Sequence, residues 1–506
     1  MSSYATLAAT AALIAATATV TPAAAATQRV EAEAAACTGT IDSNWAGYSG
    51  TGFCNGDNAI GAYVQFPTSG AESVTVRFAN GTTSARAADL LVDGVKTQSL
   101  SFPATGSWST WASQTLTLPA GSSTVRLSPT TTGGLPNIDY AEFTTGGTQA
   151  GTTLYAAPNG KDSAAGTLAD PLTLPAAIAK IGAGGTISLR GGTYSYSQTV
   201  TIPPADSGTS SARKTLSAYA GETPVLNFSA MSEDPANRGL ALNGSYWRVA
   251  GIVVERAGDN GIFVGGSNNV IERVVTRFNR DSGLQISRIA SDTPKDQWPS
   301  NNLVVSSESH DNADSDGEDA DGFASKLTSG TGNVFRYDVS HNNIDDGWDL
   351  YTKTDTGPIG PVTIEDSLAY SNGTLTDGTV NTNGDRNGFK LGGDKIAVNH
   401  IVRRDIAYRN GHHGFTYNSN PGTMTVSDNV GIDNAERNFS FDTGTSVFRT
   451  NTSCRFAVAG SNDKTAGNAD SSNQFWTGSN GSRCSSYSGT LRWSFASDGR
   501  LVVTFG

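Results

Sequence analysis

Residues 341–350, HNNIDDGWDL, place Asp345, Asp346 and Asp349 within five positions, around one glycine and one tryptophan. Carboxylates gathered this closely repel one another unless a cation balances them. Calcium suits such a set, because it takes about six to eight hard oxygen ligands. Zinc does not, since neither His nor Cys belongs to the cluster. Two other segments share the pattern. In DGFASK, Asp321 precedes Gly322 as Asp346 precedes Gly347, and in NGFKLGG, Lys390 lies two beyond Gly388 as Asp349 lies two beyond Gly347. Four carboxylates and one lysine then form a cation site with a candidate base beside it.

Those residues meet only if the chain repeats. From about 270 to 440 it does so loosely: a strand, an asparagine, then a glycine or asparagine, then another strand. The asparagines are Asn279, Asn312, Asn343, Asn372, Asn410 and Asn434. In four of the six repeats the following Gly or Asn comes four residues later; after Asn312 it comes ten later, and after Asn372 sixteen. Strands and polar turns recurring at 24 to 38 residues predict the coils of a parallel β-helix, with the asparagine amides bonded from coil to coil. Aligned on the glycines, Asp321 should stack on Asp346, and Asp349 on Lys390. The two long insertions flank the HNNIDDGWDL coil, where a solenoid usually binds its ligand.

The rest of the chain frames this unit. Residues 27–145 alternate polar and apolar in short runs such as SVTVRFA, which predicts a β-sandwich, and 146–153, GGTQAGTT, reads as a linker. The β-helix is expected over 154–506, opening with a short helix at PAAIAKI and ending in final coils or a cap. Residues 1–26 read as a secretory signal, although no Lys or Arg precedes the apolar stretch Leu7 to Val20. Four cysteines suit the oxidising compartment that export implies, with local pairs Cys37–Cys54 and Cys454–Cys484 expected. A formal charge of −12 argues against a nucleic-acid partner, and no later segment is apolar enough for a membrane. The chain is expected to act as a monomer. The stretch NADSDGEDADG imitates the start of an EF-hand loop, but its twelfth position is Phe323 where Glu is required.

DGFASK, HNNIDDGWDLYTK and NGFKLGG resemble segments of polysaccharide lyase family 9, the pectate lyases built on a right-handed parallel β-helix. The resemblance implies that Asp321, Asp345, Asp346 and Asp349 hold a catalytic calcium and that Lys390 is the Brønsted base. It also implies β-elimination on polygalacturonate, with Lys326 and Arg386 as candidates for other substrate carboxylates. The first module resembles a family 35 carbohydrate-binding module. By that resemblance Glu31 and Glu33, on one face of an opening strand, share a structural calcium with Asp139, and Tyr48, Trp108 and Asn137 form a sugar platform.

Three other classes remain open at this stage. A polygalacturonase-type hydrolase on the same fold would need a carboxylic acid paired with a carboxylate base and no lysine. A non-catalytic adhesin would use calcium for stability alone and would not call for a base. An alginate or rhamnogalacturonan lyase would perform the same elimination on another uronate polymer.

Overall fold

The computed structural model describes residues 27–68, 71–118, 124–145 and 152–506. The expected signal peptide and most of the expected linker lie outside the described residues. Among those described, no helix is long and apolar enough to cross a membrane.

Residues 27–145 form the expected sandwich of two antiparallel sheets, with six and five strands. Alternation decides which side chains fill it: Val74, Val76 and Phe78 point inward from Ala71–Ala79, where they meet Phe66, Phe102, Leu127 and Phe143. Cys37 and Cys54 pair as expected. They belong to strands of different sheets, so the disulfide staples the two layers together.

From Thr153 onward the chain winds into a right-handed β-helix with three parallel sheets of 12, 10 and 10 strands. Each coil gives one short strand to each sheet, as Val334–Arg336, Val339–His341 and Trp348–Asp349 do before Thr363–Glu365 begins the next. The helix Leu174–Lys180, capped by Thr173, covers the first coils with Leu174, Ala177 and Ile178.

The corner before the third sheet explains the repeating asparagine. The residue ahead of each one (Phe278, Asp311, Asn342, Ser371, Arg409 and Asp433) has a φ of 50 to 58°. That left-handed turn costs a residue with a β-carbon about 1–2 kcal/mol. The asparagines that follow offset it by a continuous ladder, each Nδ2 donating to the next Oδ1 at 2.8 to 3.0 Å from Asn279 through to Asn438. Past the corner an aromatic stack fills the interior: Phe323, Trp348, Phe389, Phe415 and Phe439 lie 4.7 to 5.1 Å apart, all fully buried. Each such side chain contributes on the order of 2 kcal/mol by leaving water.

The C-terminus departs from a simple cap. After the Cys454–Cys484 disulfide, the hairpin Leu491–Phe495 and Leu501–Phe505 runs back along the second sheet. Trp493 Nε1 donates to the Tyr370 hydroxyl at 3.1 Å, and Ser306 Oγ donates to the Gly499 carbonyl at 2.6 Å.

Candidate active site

The aromatic stack fixes where the charged residues point. Phe323 pairs with Trp348 and Trp348 with Phe389, so Asp349 pairs directly with Lys390 in the next coil, as the glycine alignment predicts. Successive residues of a strand face opposite ways, so Asp349 and Lys390 leave the core that Trp348 and Phe389 enter. One turn earlier the Gly322 N–H donates to the Asp346 carbonyl at 2.9 Å, which sets Asp321 against Asp346. Glycine follows each turn because a β-carbon on Gly347 or Gly388 would lie 2.5 and 2.7 Å from the next coil's backbone oxygen.

Asp321, Asp345 and Asp346 each bring a carboxylate oxygen within 4.8 Å of the others, and all are at most 1% exposed. Asp349 is 3% exposed beside them. Lys326 Nζ lies 2.8 Å from Asp321 and 3.4 Å from Asp349; Lys390 Nζ lies 2.9 Å from Asp385, 3.3 Å from Asp346 and 3.8 Å from Asp349. Burial pushes the Asp321 carboxyl up to about 7 against the pull of Lys326. Asp345 and Asp346 are raised too, by burial first. Burial works against the ammonium groups of Lys326 and Lys390, but the surrounding carboxylates outweigh it and hold both raised.

The donor set fits a hard dication. Four buried carboxylates face two ammonium groups, so once all four are ionised they exceed the positive charge by two. Asp346 Oδ2 and Asp349 Oδ1 are buried with no hydrogen-bond donor; Lys390 reaches the first at ion-pair distance without hydrogen-bond geometry. The opposite oxygens are occupied: Asp345 Oδ1 accepts the N–H groups of Asp385 and Arg386, and Asp346 Oδ1 accepts the N–H and Nδ2 of Asn387. Unpartnered anionic oxygens in a closed group are what calcium would complete. A cleft of about 540 Å³ opens beside Lys390, lined by Tyr351, Asp385, Asp394, Lys395 and Asn418.

Two expected substrate contacts are placed differently from one another. Lys326 is 5% exposed and committed to Asp321 and Asp349, so it balances the cluster rather than reaching into the cleft. Arg386 is half-buried next to Asp345, and its Nε has no hydrogen-bond partner. The EF-hand-like stretch caps itself instead, with Asp314 Oδ2 accepting the N–H groups of Glu318 and Asp319.

In the first module, Glu31 ends the strand Thr27–Glu31, while Glu33 falls in a 3₁₀ turn, so the two do not share one strand face. Glu31 and Asp139 both engage Ser49, and Glu33 accepts the Thr51 N–H, which draws all three acids to one loop. Asp139 also carries an ion pair with Arg77. Tyr48 and Trp108 are half-buried outside the module's core cluster, and Asn137 is buried at the start of Asn137–Thr145.

The Pel9A-like, right handed beta helix region matches residues 154–453. The chain belongs to that family. Pectate lyase L of Paenibacillus polymyxa is 55% identical over 325 residues, covering 64% of this chain and 72% of that protein. The crystal structure of pectate lyase Pel9A superposes with a TM-score of 0.58 at 33% identity, over 67% of this chain and 84% of that chain. Residues 25–145 match carbohydrate binding module family 6. A solved CBM35 from Cellvibrio japonicus Abf62 is 37% identical over 23% of this chain and 92% of that chain, with a TM-score of 0.22. The matches over 154–453 and 25–145 bear out the expected β-helix lyase family and the attached carbohydrate-binding module.

Within the Pel9A-like helix, sequence reasoning missed Asp385, the carboxylate nearest Lys390 Nζ, and Asn387, which braces Asp346. Asn387 was within reach, because it precedes Gly388 as Asp346 precedes Gly347. Asp385 gave no signal: it sits in the longest insertion, where the repeat loses its count.

Proposed function

We propose that this chain is an exported, calcium-dependent pectate lyase that cleaves low-ester polygalacturonate by β-elimination. One observation carries the reading: Lys390 stands in register with Asp349, at the mouth of a buried carboxylate cluster assembled from the two preceding coils. A structural cation site needs no lysine at its edge, and a hydrolase needs none as base.

Asp321, Asp345, Asp346 and Asp349 would hold the cation, which supplies Lewis-acid neutralisation of the galacturonate carboxylate and so acidifies the C5 proton. Lys390 accepts that proton in its neutral form; the C5–H electron pair becomes the C4–C5 double bond, and the C4–O bond breaks with its pair going to the glycosidic oxygen, which takes a proton from water. The carboxylates around Lys390 favour its ammonium form, so the basic form is populated as pH rises and activity climbs above neutrality. With Asp346 and Asp349 engaged as ligands, their hold on that ammonium weakens. Lys326 keeps the ligand carboxylates together, and the guanidinium of the half-buried Arg386 would hold a neighbouring uronate carboxylate.

The same reading assigns 1–26 as the signal peptide, 27–145 as the carbohydrate-binding module, 146–153 as linker and 154–506 as the lyase domain of a monomer. In the module, Tyr48, Trp108 and Asn137 would contact sugar, and Glu31, Glu33 and Asp139 a structural calcium.

The test is the ultraviolet absorbance of unsaturated uronide during incubation with polygalacturonate at alkaline pH. Absorbance should rise with calcium, stop with excess chelator and be absent in Lys390→Ala. Reducing ends without absorbance would make the chain a hydrolase; no product from any uronate polymer would make it a binding protein.

A further inference from the structure

We infer that Asp385 is a positioning residue for Lys390, holding its amine at the angle from which it reaches the cleft. The inference rests on the reading of Lys390 as base. Three carboxylates lie within 4.0 Å of Lys390 Nζ, and Asp385 is nearest at 2.9 Å. The other two, Asp346 and Asp349, belong to the buried set that would ligate the cation. Asp385 does not: its side chain is 50% exposed and lines the cleft with Lys390 and Tyr351. It is therefore the partner left to the lysine once the cluster is filled.

The backbone makes this placement rigid although Asp385 sits in an insertion. Its N–H and that of Arg386 both donate to Asp345 Oδ1, and the N–H of Asn387 donates to Asp346 Oδ1. The preceding Gly384 approaches so closely that a β-carbon there would lie 2.5 Å from Asp345 Oδ1 and 2.2 Å from the Gly317 carbonyl. Residues 384–387 are thus moulded onto the outer oxygens of the same carboxylates whose inner oxygens face the cation site. On the other side, the Tyr351 ring centroid lies 5.6 Å from Lys390 Nζ, and the Tyr351 hydroxyl is anchored on Asp394 at 2.8 Å. A long, flexible lysine is held between the Asp385 carboxylate, at ion-pair distance, and the anchored Tyr351 ring. Such restraint raises the share of reactive geometries without touching substrate.

The experiment compares wild type, Asp385→Ala, Asp385→Asn and Lys390→Ala on polygalacturonate at saturating calcium, with calcium affinity by calorimetry and Tm on each. Asp385→Ala should lose about 10- to 100-fold in kcat. Its KM should stay within about twofold of wild type, and calcium affinity and Tm should not move. Asp385→Asn, which keeps an oxygen acceptor for Nζ, should recover most of kcat. A kcat unchanged in Asp385→Ala overturns the inference, and so does a loss shared equally by KM, calcium affinity or Tm. A wild type without unsaturated product, or a Lys390→Ala variant as active as wild type, sinks the parent reading and this inference with it. Activity lost in Lys390→Ala but kept in Asp385→Ala sinks this inference alone.

Discussion

Lys326 and Lys390 are both buried lysines among the same aspartates, yet their surroundings give them different work. Lys390 shares its ammonium between the cluster and the half-exposed Asp385, whereas Lys326 is only 7% exposed at its side chain and bonds inward to Asp321 and Asp349. Removing a buried charge that balances others is costly because the remaining charges are left uncompensated. Lys326→Met should therefore lower stability by about 3–5 kcal/mol in chelator, and added calcium should restore much of it. Thermal melts with and without calcium test this; equal melting of variant and wild type in chelator would remove Lys326 from the balance of charge. Its role was not legible from spacing. The glycine alignment reveals which residues share a coil position, and so Asp321, Asp346, Asp349 and Lys390 could be read, but it does not reveal which way a long side chain turns. Asp385 was hidden for another reason: the offset of sixteen from Asn372 to Gly388 leaves no register to count along.

Two of the three corners of each coil are held by different ladders, and only one ladder was visible in the sequence. At the corner before the third sheet every rung is asparagine, so the repeat announces itself. At the corner before the second sheet the rungs are Ser307, Asp338, Ser367, Asp405, Asn429, Asn451 and Asn473, mixed enough to hide the period. Hydrogen bonding tolerates the mixture because each side chain needs only to accept the N–H of the preceding rung. Aspartate does so imperfectly. Asp405 Oδ1 accepts the Ser367 N–H at 2.8 Å, but its Oδ2 is buried without a donor. In the following rungs, Asn429 and Asn451 use that position to donate to the carbonyls of Val402 and Val426. Val402 pairs with Ile364, so an amide at 405 would meet the Ile364 carbonyl. Burial holds the Asp405 carboxyl well above the ordinary range, although the Ser367 N–H opposes it. An acid raised in the folded state contributes stability at low pH that is lost as pH climbs from its unfolded value, about 3.9, through the folded one. Asp405→Asn should thus be more stable than wild type by about 1–3 kcal/mol at neutral and alkaline pH, with the gap narrowing toward pH ~4. Tm measured across that range decides it, and a gap that widens on acidification would reverse the assignment.

At the scale of the whole molecule, charge opposes the proposed encounter. The chain carries a formal charge of −12, and polygalacturonate is a polyanion. The carboxylates at the cleft add to that repulsion, while Lys390 and Lys395 are the cationic groups that line it. Like-charged partners approach more slowly at low ionic strength, because the Debye length then reaches about 30 Å at about 0.01 M and distant charges count. At about 0.15 M salt the range falls to about 8 Å, so remote carboxylates drop out while contacts inside the site persist. For the full chain at fixed free calcium, kcat/KM on polygalacturonate should rise severalfold between low salt and about 0.15 M sodium chloride, carried by KM rather than kcat. Short, weakly charged oligogalacturonides should respond less, since they span fewer of the repelling groups. A kcat/KM that falls instead with salt would mean that local attraction by Lys390 and Lys395 governs capture. The net charge of the molecule would then be irrelevant to how substrate arrives.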